Sequence, residues 1–222
     1  MLQSFLAAML SLSILLELHG YFIKTSYISD QQARTVAFSN WVIYLARILN
    51  MLFAFLLAIA FERGVDLQLS IIFSAAFTTA TLTCVYYIFS GRVESILNKF
   101  LGYILFMPFH DMSDRRFWRL TQSNFSYRWA FMVASAGLSY FALIMPFFVA
   151  RILPEYRMSS VYLGQAFNFG STIILLGMIE PRMMIALDRV KQLDGKPKGV
   201  DGFVHARVWL AGSMAIVCIM WL

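Results

Sequence analysis

The sequence has little charge and almost no cysteine. Charged residues make up 14% of the 222 residues, against roughly 25% in soluble domains, whereas hydrophobic residues make up 60%. A soluble core cannot use so many apolar side chains, but a surface that faces lipid can. The two cysteines, Cys84 and Cys218, lie in apolar runs, which excludes a disulfide framework. The composition therefore predicts an integral membrane protein.

The sequence also lacks the patterns that mark catalytic centres. It contains no Ser-His-Asp, Cys-His, zinc-spaced or phosphate-loop pattern. His110, Asp111 and Asp114 could hold a magnesium ion on a diphosphate, because hard oxygen ligands suit that ion. The arginines that follow them favour a solvated turn instead. We expect a protein that is not an enzyme and that binds no metal or cofactor.

Long apolar runs divide the chain into spans of a bilayer. A run of about 20 apolar residues is long enough to cross the hydrocarbon core as a helix. The sequence predicts an all-α polytopic membrane protein, a single domain over residues 1–222, with six spans at about 2–23, 36–61, 67–89, 129–150, 159–179 and 204–222. Phe100 to Phe109, in the third loop, is too short to span and is expected to lie in the interface or to re-enter the membrane.

The distribution of Lys and Arg predicts the orientation of these spans. The loops after the first, third and fifth spans carry 14 of them, whereas the other loops carry only Arg63, Arg151 and Arg157. Because positive residues concentrate on the cytoplasmic side, we expect those three loops to be cytoplasmic and both termini to lie outside.

The second span contains a cation close to its middle. Asn40, Tyr44 and Arg47 fall at i, i+4 and i+7, with Asn50 at the edge of the same stripe. A guanidinium keeps its charge at any physiological pH, and an intramembrane charge normally faces a wet cavity or a protein partner. This pattern favours a site for an anionic group. The alternative is a structural arginine that helix carbonyls or a neighbouring carboxylate satisfy.

Two other spans carry polar residues. Glu17 and His19 lie in the second half of the first span, two residues apart and so on different faces. In the fifth span Gly164, Asn168 and Ser171 form a small and polar stripe, and Glu180-Pro181-Arg182 ends the helix. Small residues at this spacing indicate close helix packing, whereas Asn168 is expected either to bond another helix or to line a cavity.

Two segments resemble the Amj-type lipid II flippases, the alternates to MurJ. The first is QQARTVAFSNWVIYLARILN, which ends in Arg-x-x-Asn, and the second is FNFGSTIILLGMIEPRMMIALDRV, with an acidic-Pro pair and then Asp188. The closing DGFVHARVWLAGS is similar more loosely. The resemblance covers the first two and last two spans and not residues 65–160. The family has Ser before the arginine and Asp before the proline, where this sequence has Ala46 and Glu180.

The resemblance implies a flippase that carries an undecaprenyl-diphosphate-linked peptidoglycan precursor from the cytoplasmic to the outer leaflet of the bacterial inner membrane. Arginine forks onto phosphate oxygens, and we expect Glu17 to pair with Arg47 when the site is empty. The short chain suggests a homodimer that encloses the headgroup, and no nucleic-acid partner is expected. The expected substrate-binding residues are Glu17, His19, Asn40, Tyr44, Arg47, Asn50, Asn168, Glu180 and Arg182.

The sequence leaves three other functions open. The first is another transporter, either a translocase of undecaprenyl phosphate or an ion-coupled carrier that uses Glu17 and Glu180. The second is a membrane scaffold that transports nothing. The third is an enzyme acting on lipid diphosphates through Asp111 and Asp114.

Overall fold

A computed structural model describes residues 1–25, 32–65, 67–90, 92–104, 127–182, 185 and 201–220. Within these ranges the chain is helical, without strands. The α-helices are α1 (Leu2–Thr25), α2 (Gln32–Glu62), α3 (Leu69–Ser90), α4 (Arg92–Ile104), α5 (Tyr127–Ile152), α6 (Arg157–Ile174) and α7 (Asp201–Met220). A 3-10 turn at Pro154–Tyr156 precedes α6, and a π turn at Leu175–Ile179 continues it.

Four helices in the described part of the chain are long and apolar enough to cross a membrane. Their spanning segments are Leu2–Tyr21, Val36–Glu62, Ala130–Ile152 and Tyr162–Arg182. α3 and α7 contain the shorter apolar segments Leu69–Thr83 and Val208–Met220. The chain is therefore an all-helical polytopic membrane protein, and the predicted fold class is confirmed.

The third loop begins with the amphipathic helix α4. Leu101 of α4 is fully buried, whereas Ile96, Phe100 and Tyr103 are exposed. The predicted interfacial segment Phe100 to Phe109 is helical as far as Ile104, and residues 105–109 lie outside the described part. The His110, Asp111 and Asp114 group also lies outside it.

α1 lies at the centre of the packing. Half of its spanning segment is buried inside the protein, against 28% for α2 and 22% for α5 and for α6. One face of α1 contributes Leu6, Leu10 and Ile14 to the main apolar cluster, and another contributes Leu16 and Ile23 to a smaller cluster with α2 and α4. α1 packs on α2 and α3, α3 packs on α7, and α5 packs on α6 and α7.

Aromatic pairs join α2, α3 and α5. Phe73 of α3 contacts both Phe53 of α2 and Phe148 of α5, with ring centroids 5.9 and 6.1 Å apart. Phe61 stacks on Phe147 at 6.3 Å. Offset and edge-to-face rings contribute about 0.5 to 1.5 kcal/mol per pair beyond their burial, so these contacts stabilise the three-helix arrangement.

The link between α2 and α3 is fixed at both ends. Gly64 has φ +67°, the left-handed conformation that glycine adopts without a steric cost. Its N–H donates to Phe61 O, and the Val65 N–H donates to Ala60 O, both at 3.0 Å, which is the Schellman end of a helix. Arg151 Nη1 of α5 then donates to Leu67 O at 3.2 Å, so the link is held against α5.

Candidate functional site

Serine, alanine and glycine bring α1 and α2 close together along what we call the α1–α2 seam. It is formed by Ser13, Glu17 and Gly20 of α1 with Ser39, Ile43, Ala46 and Asn50 of α2. At one end the Ser39 hydroxyl donates to Gly20 O at 2.7 Å. A Cβ on Gly20 would lie 2.6 Å from Ile43 Cγ1, inside the contact distance of two carbon atoms. Glycine at position 20 therefore permits the close approach.

At the other end of the seam a serine bonds two groups of α2. Ser13 Oγ lies 3.0 Å from Ala46 O and 2.6 Å from Asn50 Oδ1. A hydroxyl has one proton, so Ser13 donates to one of these oxygens at a time. Ser13 is fully buried, and Asn50 is half-buried. The amide of Asn50 therefore belongs to the helix interface as well as to the predicted polar stripe.

Two ionisable side chains lie buried in α1. Glu17 is 8% exposed and His19 is 1% exposed, and both have interaction partners. Ser13, Glu17 and Gly20 fall at i, i+4 and i+7, which places Glu17 on the face of α1 that packs on α2. His19 lies on another face, as the spacing predicted, and the core encloses that face too.

Arg47 is exposed at the border of the seam. Its neighbour Ala46 is fully buried against α1, and Tyr44 and Trp41 on the same outward side of α2 are each 54% exposed. Asn40 is half-buried. Because Ala46 and Asn50 turn toward α1, the guanidinium turns toward the surface. Arg47 lies within one turn of the midpoint of the span Val36–Glu62, so this surface is at the depth of the hydrocarbon.

The expected pairing of Glu17 with Arg47 is not observed. Among the described residues, no ion pair joins Glu17 to Arg47. Glu17 lies inside the seam, whereas Arg47 lies outside it on the exposed face of α2. The physical reason is the rotation of α2, which presents Ala46 to α1 and so directs the next side chain away.

α5 and α6 meet along a second close contact, the α5–α6 seam, formed by Ser135, Ala142 and Pro146 with Gly164 and Ser171. The Ser171 hydroxyl donates to Ser135 O at 2.8 Å, and the Ser135 hydroxyl donates to Ser171 O at 3.3 Å. A Cβ on Gly164 would lie 2.5 Å from Pro146 Cγ and 2.9 Å from Ala142 O. Because Pro146 has no N–H, the Ala142 carbonyl receives no helical hydrogen bond from position 146. Gly164 packs against this carbonyl.

Asn168 does not share the buried position of its neighbours in the predicted stripe. Gly164 and Ser171 are buried, but Asn168 is exposed. Residues seven apart nearly align on a helix, whereas a residue four from one and three from the other lies off to one side. The amide therefore lies at the edge of the contact with α5, where it is exposed.

The exit of α6 contains the π turn and the other two predicted site residues. The Glu180 N–H donates to Leu175 O, five residues back. Pro181 explains this widening, because its ring conflicts with the carbonyl four residues earlier and it donates no hydrogen bond. Glu180 is half-buried, Arg182 is exposed, and both have interaction partners.

The predicted site residues form two groups in the structure. Glu17, Asn40, Tyr44, Arg47 and Asn50 lie in or beside the α1–α2 seam. His19 is buried on another face of α1. The second group is Asn168 on α6 with Glu180 and Arg182 after the π turn that continues it. α2 packs chiefly on α1 and α6 packs chiefly on α5, so the helix contacts do not join the two groups. Within the described residues, no cluster of three His, Cys, Asp or Glu side chains could hold a metal ion.

Sequence reasoning missed the serines that cross the seams. Ser13 and Ser39 hold α1 to α2, and Ser135 holds α5 to α6. A signal for two of them was present, since Ser13 shares a helix face with Glu17 and Gly20. Ser39 likewise shares a helix face with Asn50, whereas Ser135 stands between two alanines and carries no such signal.

No family model, curated protein or solved structure matches this chain. The resemblance to the lipid II flippases stays a prediction.

Proposed function

We propose that the protein binds the phosphate of an anionic lipid at Arg47 and carries the lipid headgroup across the membrane. The substrate class is a polyprenyl-diphosphate-linked sugar, which the resemblance of the sequence implies. Movement would run from the cytoplasmic to the outer leaflet for peptidoglycan synthesis.

The observation that carries this proposal is the outward position of Arg47 in mid-span. An arginine at the bilayer centre costs about 2.5 to 3.5 kcal/mol on insertion scales. A lipid phosphate offsets this cost, because guanidinium and phosphate form two parallel charge-assisted hydrogen bonds. An outward site also suits a lipid in particular, since its tail stays in the hydrocarbon while its headgroup contacts the protein.

Neutral groups beside Arg47 can complete such a site. Tyr44 is exposed one turn from Arg47, and Asn40 and Asn50 are half-buried on either side of it. A phenol and two amides donate hydrogen bonds to phosphate or sugar oxygens without adding charge. The buried Glu17 supplies a titratable group in the adjacent seam, as an ion-coupled carrier would need.

Reconstitution in liposomes with a labelled lipid-linked sugar diphosphate tests the proposal. Wild-type protein should speed transbilayer movement, and Arg47→Ala at matched, folded levels should abolish it. Arg63→Ala is the matched control, because Arg63 is also exposed but directly follows the end of α2 at Glu62, away from the middle of the span. Wild-type rates from Arg47→Ala would refute the proposal and favour a scaffold. Movement of the monophosphate carrier alone would identify the other lipid.

The orientation of the protein is part of the same proposal. The count of Lys and Arg in the loops places the loop around Gly195 in the cytoplasm and the C-terminus outside. With Cys84 and Cys218 replaced, Gly195→Cys should react with an impermeant thiol reagent only after the cytoplasmic side is opened. A cysteine added after Leu222 should react from outside, and the reverse accessibility would contradict the orientation.

A further inference from the structure

The outward face of α6 carries two carboxamides at membrane depth. Gln165 and Asn168 are both exposed, and they are one helical turn apart. Both lie within the spanning segment Tyr162–Arg182. No charged residue occurs between residues 159 and 179. This face is therefore polar and neutral, unlike the face of α2 that carries Arg47.

The core cannot take up these amides. The amides border the face of α6 that packs on α5, where Gly164, Ser171 and Leu175 are buried. Rotating α6 to bury Asn168 would break the reciprocal bonds between Ser171 and Ser135. It would also move the backbone of Gly164 off Pro146. The amides face outward because the small residues have to face inward.

An amide in hydrocarbon needs a partner. Each unsatisfied polar group in the bilayer core costs several kcal/mol. Within the described part of the chain, neither amide group forms a hydrogen bond. The hydroxyl of Thr172 on the same face is already satisfied, since it donates to Asn168 O at 2.8 Å. On this face, the side chains that still need a hydrogen-bond partner are therefore the amides of Gln165 and Asn168.

We propose that this face of α6 binds the same face of a second copy of the chain in a two-fold symmetric dimer. A carboxamide is both donor and acceptor, so it complements its own copy across a two-fold axis. Two copies with the same orientation bring their α6 helices together in parallel, with Asn168 facing Asn168 of the partner subunit. No Lys or Arg accompanies the two amides between residues 159 and 179, so this stretch offers no cation to a lipid phosphate. Phe169 and Tyr162, 68% and 69% exposed, flank the amides and enclose them.

The dimer is tested by diluting labelled protein in liposomes and measuring the dimer fraction by single-molecule photobleaching. The double variant Gln165→Leu with Asn168→Leu should raise the dissociation constant about 10-fold or more, since interhelical amide bonds contribute at this level. Asn168→Gln should retain dimers. Thr172→Val is the control on the same face and should leave the constant unchanged. A monomeric wild type, or an unchanged constant for the double variant, would overturn the proposal.

Cross-linking gives a second measurement that leaves the amides in place. With Cys84→Ala and Cys218→Ala, Phe169→Cys should form a disulfide between two copies on oxidation. Ile216→Cys on α7, also well exposed, should not. Cross-linking at Ile216 alone would place the interface elsewhere and reject the α6 dimer. Neither measurement uses transport, so a dimer without lipid movement would refute only the proposed function, and movement by monomers would refute only the dimer.

Discussion

The α1–α2 and α5–α6 seams use the same means of close packing but differ in charge. In each, a glycine meets the facing helix where a Cβ would be less than 3 Å from its nearest neighbour, and serine hydroxyls donate to carbonyls across the pair. The α1–α2 pair adds two charged residues within its spanning segments, with Glu17 inside the seam and Arg47 at its border. The α5–α6 seam closes with neutral groups alone.

The difference teaches that close packing in this protein does not require charge. The neutral seam packs as closely as the charged one. Helix association therefore does not explain why Glu17 and Arg47, which are costly to place in a membrane, lie in and beside the α1–α2 seam. Ionisable residues inside a membrane mark functional sites by default. This contrast supports our proposal that the chemistry of the protein lies at α1 and α2, with a structural role for the α5–α6 contact.

Among the substitutions that leave the charge of both seams unchanged, the largest expected effect comes from changing the shape of the Arg47 cation. Arg47→Lys retains the positive charge but loses the planar fork that binds phosphate through two bonds. Loss of one charge-assisted bond costs about 1.5 to 3 kcal/mol, so lipid movement should fall about 10- to 100-fold. The liposome assay measures this rate. Ser171→Ala, in the neutral seam, should keep the wild-type rate at matched folded levels. An equal fall in the rate of lipid movement for both variants would contradict the different roles of the two seams.

The next effect concerns the glycines and acts on stability. Gly164→Ala should lower the free energy of unfolding by about 1 to 3 kcal/mol, the usual cost of overpacking. Its new methyl group would meet a proline ring and a backbone carbonyl, neither of which can rotate away. Gly20→Ala should cost less, because its nearest obstacle is the Ile43 side chain.

Unfolding in mixed detergent micelles measures both glycine variants. Gly177→Ala is the control, since a Cβ at that position meets nothing within 4 Å, and it should cause no loss. A greater loss for Gly20→Ala than for Gly164→Ala would reverse the predicted order of the two seams.

The smallest expected effect comes from single hydroxyls. Ser39→Ala and Ser171→Ala each remove a bond between helices, worth about 0.6 to 2 kcal/mol in membranes. Thr83→Val serves as the control, because that hydroxyl donates to Thr79 O within its own helix and should change stability by less than about 0.5 kcal/mol. The same unfolding measurement tests these variants. A loss of stability for the variant of one seam only would show that the serine bonds contribute differently to the two seams.

Much of the fold could be predicted from hydropathy, because lipid selects long apolar runs directly. Each predicted span overlaps a helix in the described part of the chain, and the predicted start of the second span at Val36 agrees with its spanning segment Val36–Glu62. The helix α2 itself begins earlier, at Gln32, because polar residues at the membrane surface extend a helix without extending its apolar run. Proline in a helical run suggests an interruption, but Pro146 does not interrupt α5, which continues through it to Ile152.

The candidate site was less accessible to sequence reasoning. Periodicity tells which residues share a face, but it does not tell which neighbour that face meets. It grouped Asn40, Tyr44 and Arg47 on one stripe, yet only the packing of Ala46 on α1 shows that this stripe faces outward. It likewise grouped Asn168 with Gly164 and Ser171. These three positions differ by only a small rotation about the helix axis, and the position of the neighbouring helix determines which of them are buried.

The π turn at Leu175–Ile179 has a consequence for how the length of this chain can vary. A π turn contains one residue more than an α-helical turn, and the helix on either side keeps the direction it would have without that residue. Loss of the exposed Gly177 would return the segment to α geometry with Ser171 still against Ser135. Loss of a residue earlier in α6, between Gly164 and Ser171, would rotate one of them off α5. We therefore expect the loss of one residue to be tolerated at the exit of α6 and to disrupt the α5–α6 seam when it falls in the middle of the helix.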